Sequence, residues 1–147
     1  QLNQAQLTNT LTKAPIKDSS EPVLLLVEDN KINQVVASAL LKEAGVIFDI
    51  AENGEQAISK LNAKQNNPYK LILMDCQMPI MDGYQATQAI RQGGAGEKYN
   101  AVSIIALTAN AMQGDREKCI AAGMDDYLTK PLDIAALKPK LQHWLDS

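Results

Sequence analysis

The feature that most constrains this chain is an alternation of short, unbroken apolar runs with longer stretches of helical periodicity. VLLLV (23–27) is solidly apolar, the pattern of a strand covered on both faces. KLILMD (70–75) and AVSIIALT (101–108) read the same way, while VIFDI (46–50) and DDYLT (125–129) complete a set of five short strands. Between the first two, Val35, Val36, Ala39, Leu40 and Ala44 recur at helical spacing before Gly45, which suits a C-terminal cap. Asn53 and Gly54 open a second helix running through Ile58 and Leu61. Three more are predicted: from about Tyr84 to Arg91, from Asn110 to Ala122 with Gly123 ending it, and from Asp133 as N-cap to Leu145. Five strands alternating with five helices predict an α/β fold, a doubly wound five-stranded parallel sheet with helices on both faces and right-handed crossovers.

The 147 residues suit a single domain that buries about two thirds of its unfolded surface. A hydrophobic content of 46% against 21% charged residues excludes wholesale disorder, and at 4% aromatics the core must be built from Leu, Ile, Val, Ala and Met. A net charge of −3 gives no basic field, which argues against direct nucleic-acid contact. No run approaches the ~18 apolar residues that span a bilayer, so no membrane contact is expected of this fragment. Cys76 and Cys119 have neither metal-site nor disulfide-framework spacing and read as reduced thiols of a cytosolic protein. Residues 1–21 are polar and interrupted by Pro15, the composition of a flexible linker or arm, which leaves 22–147 as the domain. The weak apolar spacing of Leu2, Leu7 and Leu11 does not change that reading, and a first residue that is Gln1 rather than Met suggests a piece of a longer chain.

In sheets of this class ligands sit outside the carboxyl ends of the strands, near the switch in strand order. Strand one ends at Glu28-Asp29, strand three at Asp75 and strand four at Thr108, and Lys130-Pro131 follows strand five. Three carboxylates gathered at one edge repel one another, which a hard divalent cation relieves; an all-oxygen cluster with few ligands suits Mg²⁺. A carboxylate beside such a cation can act as a nucleophile toward phosphorus, and Asp75 on the central strand is the best placed. Lys130 could neutralise phosphate charge, and the Thr108 hydroxyl could donate to a phosphate oxygen.

The segments VLLLVEDN, LILMDCQMPIMDGYQA, IIALTANA and GMDDYLTKPLD together resemble the receiver (CheY-like) family of response regulators and hybrid histidine kinases, over about residues 22–146. The resemblance implies a flavodoxin-like (βα)5 sheet of order 2-1-3-4-5. It implies that Asp75 is the phosphoacceptor and that Asp29, Asp75 and the Gln77 backbone carbonyl ligate Mg²⁺, with Glu28 acting mainly through a metal-bound water. It also implies that Thr108 and Lys130 contact the phosphoryl group, that Thr108 and Tyr127 form a switch, and that the Lys130-Pro131 bond is cis. The implied partners are a phosphohistidine on a histidine kinase core and a histidine-phosphotransfer domain. The parent is expected to be a hybrid sensor histidine kinase, with the fragment cytoplasmic and any anchor in the inner membrane supplied by further sequence. The fragment itself is expected to carry at most self-phosphorylation and autodephosphorylation.

Competing readings are a Mg²⁺-dependent aspartyl-phosphate phosphatase or phosphotransferase, a flavodoxin-like cofactor carrier, and a receiver-shaped scaffold that takes no phosphate. The first wants a second Asp two residues after the nucleophile, where this chain has Gln77; the second wants a Ser/Thr/Gly-rich phosphate loop where this chain has Glu28-Asp29. The full acidic set with Lys130 argues against the third. Met74, Met78 and Met81 read as packing residues. Gly83 is expected to relieve a strained backbone angle, Asn33 to neighbour the acidic cluster, Trp144 to anchor the last helix, and His143 to lie remote from the site.

Overall fold

The structure, a computed structural model, describes residues 21–64, 67–78, 80–109 and 113–145. Five strands, β1 (Leu24–Val27), β2 (Phe48–Ala51), β3 (Leu71–Asp75), β4 (Ser103–Thr108) and β5 (Asp126–Thr129), form one sheet. Its spatial order is β2-β1-β3-β4-β5, and every neighbouring pair is parallel. The helices are α1 (Lys31–Glu43), α2 (Gly54–Ala63), α3 (Gly83–Arg91), α4 (Gln113–Ala122) and α5 (Ile134–Leu145). A 3₁₀ turn at Glu97–Tyr99, which the sequence pattern did not reveal, precedes β4, and the strand begins at Ser103 rather than Ala101.

The solid apolar runs are explained by burial on both faces. Side chains alternate across the sheet, so Leu25, Val27, Ile72, Met74, Ile104 and Ala106 enter one core. Leu24, Leu26, Leu71, Leu73, Ile105 and Leu107 enter the other, against α1 and α5. Each fully buried Leu, Ile, Val or Met side chain among them is worth roughly 1.5–3 kcal/mol. Met74 is fully buried, and Met78 and Met81 pack on the first core, as expected of gap-filling thioethers.

The helix starts follow from short polar side chains. Asn30 Oδ1 accepts from the Asn33 amide at 3.0 Å, and Asn53 Oδ1 from the Gln56 amide at 2.9 Å. Asp82 and Gln85 form a reciprocal capping box at α3, and Asp133 Oδ1 accepts from the Ala136 amide at 2.8 Å. Each cap contributes about 1 kcal/mol. Gly45 (φ +78°) ends α1 and Gly123 (φ +104°) follows α4, the left-handed positions that favour glycine. Trp144 packs on the second core and its Nε1 donates to Asp126 Oδ2 at 3.0 Å, anchoring α5 as expected. His143 stacks edge-on against Trp144 with centroids 4.8 Å apart.

The arm assigned to residues 1–21 lies, apart from Glu21, outside the described residues, as do Pro79 and the predicted first turn of α4 at 110–112. Glu21 itself pairs with Lys64 at 3.3 Å.

Candidate functional site

The strand order puts β1 and β3 side by side, with Val27 opposite Met74, so the residues just beyond their ends face one another. β4 flanks β3 on the other side, with Leu107 opposite Asp75, and β5 follows, with Thr129 opposite Thr108. Glu28, Asp29, Asp75, Gln77, Thr108 and Lys130 thereby line one cavity of about 190 Å³, with Asn30 and Asn33 at its α1 side. Every residue assigned to chemistry from the sequence is in this cavity except Tyr127, which sits further along the edge on β5. A larger cavity of about 580 Å³ between α3 and α4 contains none of the carboxylate cluster.

One oxygen from each of Glu28, Asp29 and Asp75 lies within 4.8 Å of the others. Glu28 is 1% exposed and Asp75 4% exposed, so two of the three are deeply buried. Lys130 Nζ contacts Glu28 Oε1 at 2.9 Å and Asp75 Oδ1 at 3.1 Å. The Asn30 amide donates to Glu28 Oε2 at 3.2 Å, and the Gln77 amide to Asp75 Oδ1 at 3.2 Å. Gln34 Nε2 donates to the Glu28 carbonyl at 2.6 Å, tying the β1–α1 loop to its helix.

Burial pushes the Asp75 carboxyl up to about 7, and Glu28 adds to the rise, while the Gln77 amide and Lys130 oppose it. Burial also opposes the charge on Lys130, but Glu28 and Asp75 outweigh it and hold the ammonium above the usual lysine range. When all groups are ionised, three carboxylates against one ammonium leave two net negative charges. That remainder, carried entirely on oxygen, fits a divalent hard cation. Lys130 engages two of the carboxylates, so its ammonium is the built-in counter-charge of the cluster.

Two features escaped sequence reading. The double pairing of Lys130 depends on its side chain reaching past the end of β4, from the end of β5, to acids at the ends of β1 and β3, and no local pattern signals it. Gly83 does not adopt a left-handed angle; its role is close approach. A Cβ there would lie 2.2 Å from the Asp75 carbonyl oxygen, and the Gly83 amide donates to the Cys76 carbonyl at 3.1 Å. The first turn of α3 is therefore packed directly on the backbone of Asp75, and the Asp82-Gly83 pair was the available signal. The Lys130-Pro131 bond is cis, and Cys76 and Cys119 are buried thiols not joined in a disulfide.

The profile of the response regulator receiver domain family matches residues 24–142. This chain belongs to that family. The receiver domain is 46% identical over 117 residues to hybrid signal transduction histidine kinase B of Dictyostelium discoideum, a match covering 74% of this chain and 6% of the kinase. It is 40% identical over 130 residues to the sensor protein GacS of Pseudomonas syringae pv. syringae, covering 88% of this chain and 14% of that protein. The chain thus spans only a small fraction of the curated relatives it matches. Among solved structures, the receiver domain of a Pseudomonas aeruginosa sensor histidine kinase, with a magnesium ion in its active-site cleft, superposes with TM-score 0.74 at 48% identity, covering 84% of this chain and 97% of that one. A Saccharomyces cerevisiae receiver domain, co-crystallised with its histidine phosphotransfer protein, gives TM-score 0.74 at 34% identity over 85% of this chain and 89% of that one. Among the described residues of this receiver domain, no helix is long and apolar enough to cross a membrane.

Proposed function

We propose that this receiver domain accepts a phosphoryl group from a phosphohistidine onto Asp75 and hands it to a histidine-phosphotransfer partner, as one station of a phosphorelay within a hybrid sensor kinase. The observation that carries the reading is a buried aspartate with two further carboxylates and a lysine ammonium within ion-pairing reach. A carboxylate oxygen of Asp75 forms the new P–O bond as the donor's P–N bond breaks, and the departing imidazole takes up a proton. Magnesium, held by Asp29, Asp75 and the Gln77 carbonyl with Glu28 acting mainly indirectly, would supply charge neutralisation at the phosphoryl oxygens. Lys130 stays beside Asp75 and donates to one phosphoryl oxygen, and the Thr108 hydroxyl, at the end of β4, donates to another. Thr108 moving toward the phosphoryl group draws the segment after β4 with it, and Tyr127 responds as the switch residue.

The approach to the site suits a protein donor. Ile32, Val35 and Val36 on α1 and Ile80 in the loop after Asp75 are large apolar side chains left 40–74% exposed. They flank the elements that carry Glu28, Asp29 and Asp75, where a helical phosphohistidine domain would bury them. The yeast receiver crystallised with a phosphotransfer protein supports this kind of partner.

The test is incubation with acetyl phosphate or phosphoramidate and Mg²⁺, followed by intact mass. One phosphoryl adduct, absent with EDTA and absent in Asp75→Asn, is expected. An adduct that persists in Asp75→Asn refutes the assignment.

A further inference from the structure

Tyr127 is flanked by cations from two different helices. The Arg116 guanidinium carbon, on α4, is 5.4 Å from the ring centroid, and Lys140 Nζ, on α5, is 5.9 Å from it. The half-buried ring borders a cavity of about 200 Å³ shared with Arg116, Cys119 and Ile120. It also borders one of about 550 Å³ shared with Ala136 and Lys140. The ring therefore has room to move and two positive charges that favour its leaving neither side.

The two cations are fixed differently. Lys140 Nζ also donates to Asp126 Oδ1 at 2.8 Å, and Asp126 precedes Tyr127 on the same strand, so this charge is tied to β5. Arg116 rides on α4. The buried side chains described on that helix, Cys119 and Ala122, lie toward its C-terminal end. That end is clamped by Arg91, whose Nε donates to the Gly123 carbonyl at 2.9 Å and whose Nη2 pairs with Asp125 Oδ2 at 3.0 Å. Arg116 lies on the other side of these anchors, toward the segment that follows Thr108. A displacement reaching α4 from Thr108 moves Arg116 relative to the ring, while Lys140 stays with the strand.

We propose that Arg116 and Lys140 are positioning residues that hold Tyr127 in its resting place, with Arg116 the releasable contact that couples α4 to the ring. This rests on the reading of Tyr127 as the switch residue. A cation over an aromatic face at a partly exposed site shifts a population by about two- to fivefold. Coupling is reciprocal, so loss of either contact strengthens binding of a phosphoryl mimic by the same factor.

The experiment uses the whole chain labelled with fluorotyrosine, the Tyr127 signal being assigned by Tyr127→Phe, and titrated with beryllofluoride and Mg²⁺. The wild-type signal is expected to move on binding. Arg116→Gln and Lys140→Gln are each expected to move the unliganded signal part-way in the same direction and to tighten beryllofluoride binding about two- to fivefold. Lys140→Arg, which keeps the cation, restores wild-type behaviour, and Glu117→Gln, an exposed charge on the same helix, changes neither readout. A wild-type Tyr127 signal that does not respond to beryllofluoride defeats the switch reading and this inference with it. A responsive wild type with unshifted Arg116→Gln and Lys140→Gln overturns the inference alone, as does an equal effect from Glu117→Gln.

Discussion

Replacing Asp75 with Asn makes the metal-free domain more stable at neutral and alkaline pH, and the gain disappears on acidification. In the folded chain the carboxyl is raised from 3.8 to about 7 by burial and by Glu28. An acid whose folded pKa lies above its unfolded one binds its proton more tightly when folded. Its contribution favours folding at low pH and is lost as pH rises from about 4 to about 7. The full rise corresponds to about 4 kcal/mol against the ionised folded form. Asn keeps an oxygen to accept from the Gln77 amide and removes the charge next to Glu28, at the cost of the contact with Lys130. A net stabilisation of about 2–3 kcal/mol at pH 8 in EDTA is therefore expected, with at least half of it gone by pH 5. Urea denaturation of both proteins at pH 5, 6, 7 and 8 measures it, since titrating groups away from the cluster cancel in the difference and the slope with urea should be common to both. Mg²⁺ at a hundredfold excess over Kd should erase most of the difference at pH 8, because it stabilises only a chain with the intact acidic set, by about 2.7 kcal/mol. A difference between the two proteins that is constant from pH 5 to pH 8 would show that the Asp75 proton is not held as argued.

Three further outcomes follow from the same geometry. Lys130→Ala leaves Glu28 buried without its ammonium and should lower stability by roughly 2–4 kcal/mol in EDTA, with partial recovery in Mg²⁺, both read by thermal melting. Gly83→Ala forces a methyl against the Asp75 carbonyl; a loss of about 2–3 kcal/mol together with slower labelling by acetyl phosphate is expected, and unaltered labelling would separate α3 from the site. Val35→Asp on α1 should slow transfer from the phosphorylated receiver to a histidine-phosphotransfer domain at least tenfold, about 1.4 kcal/mol. Labelling by acetyl phosphate, which needs no docking surface, should stay unchanged in Val35→Asp, and equal slowing in both assays would remove the docking role.

The amino-acid sequence determined the number and order of the strands and α-helices, because apolar periodicity and end signals such as Asn53, Asp82 and Gly45 act within a few residues. It also determined that Glu28, Asp29, Asp75, Thr108 and Lys130 would share an edge, since parallel strands carry their ends to the same side. Their strand-end positions were legible even where boundaries were off, as at Ala101 and Asp125. Only the tertiary structure decided the rest: Lys130 paired with two acids at once, Asp75 holding its proton up to about 7, Gly83 pressed against the Asp75 carbonyl, and Tyr127 set between Arg116 and Lys140. These depend on distances between segments far apart in the chain and on how much water their packing excludes. A local pattern carries neither quantity.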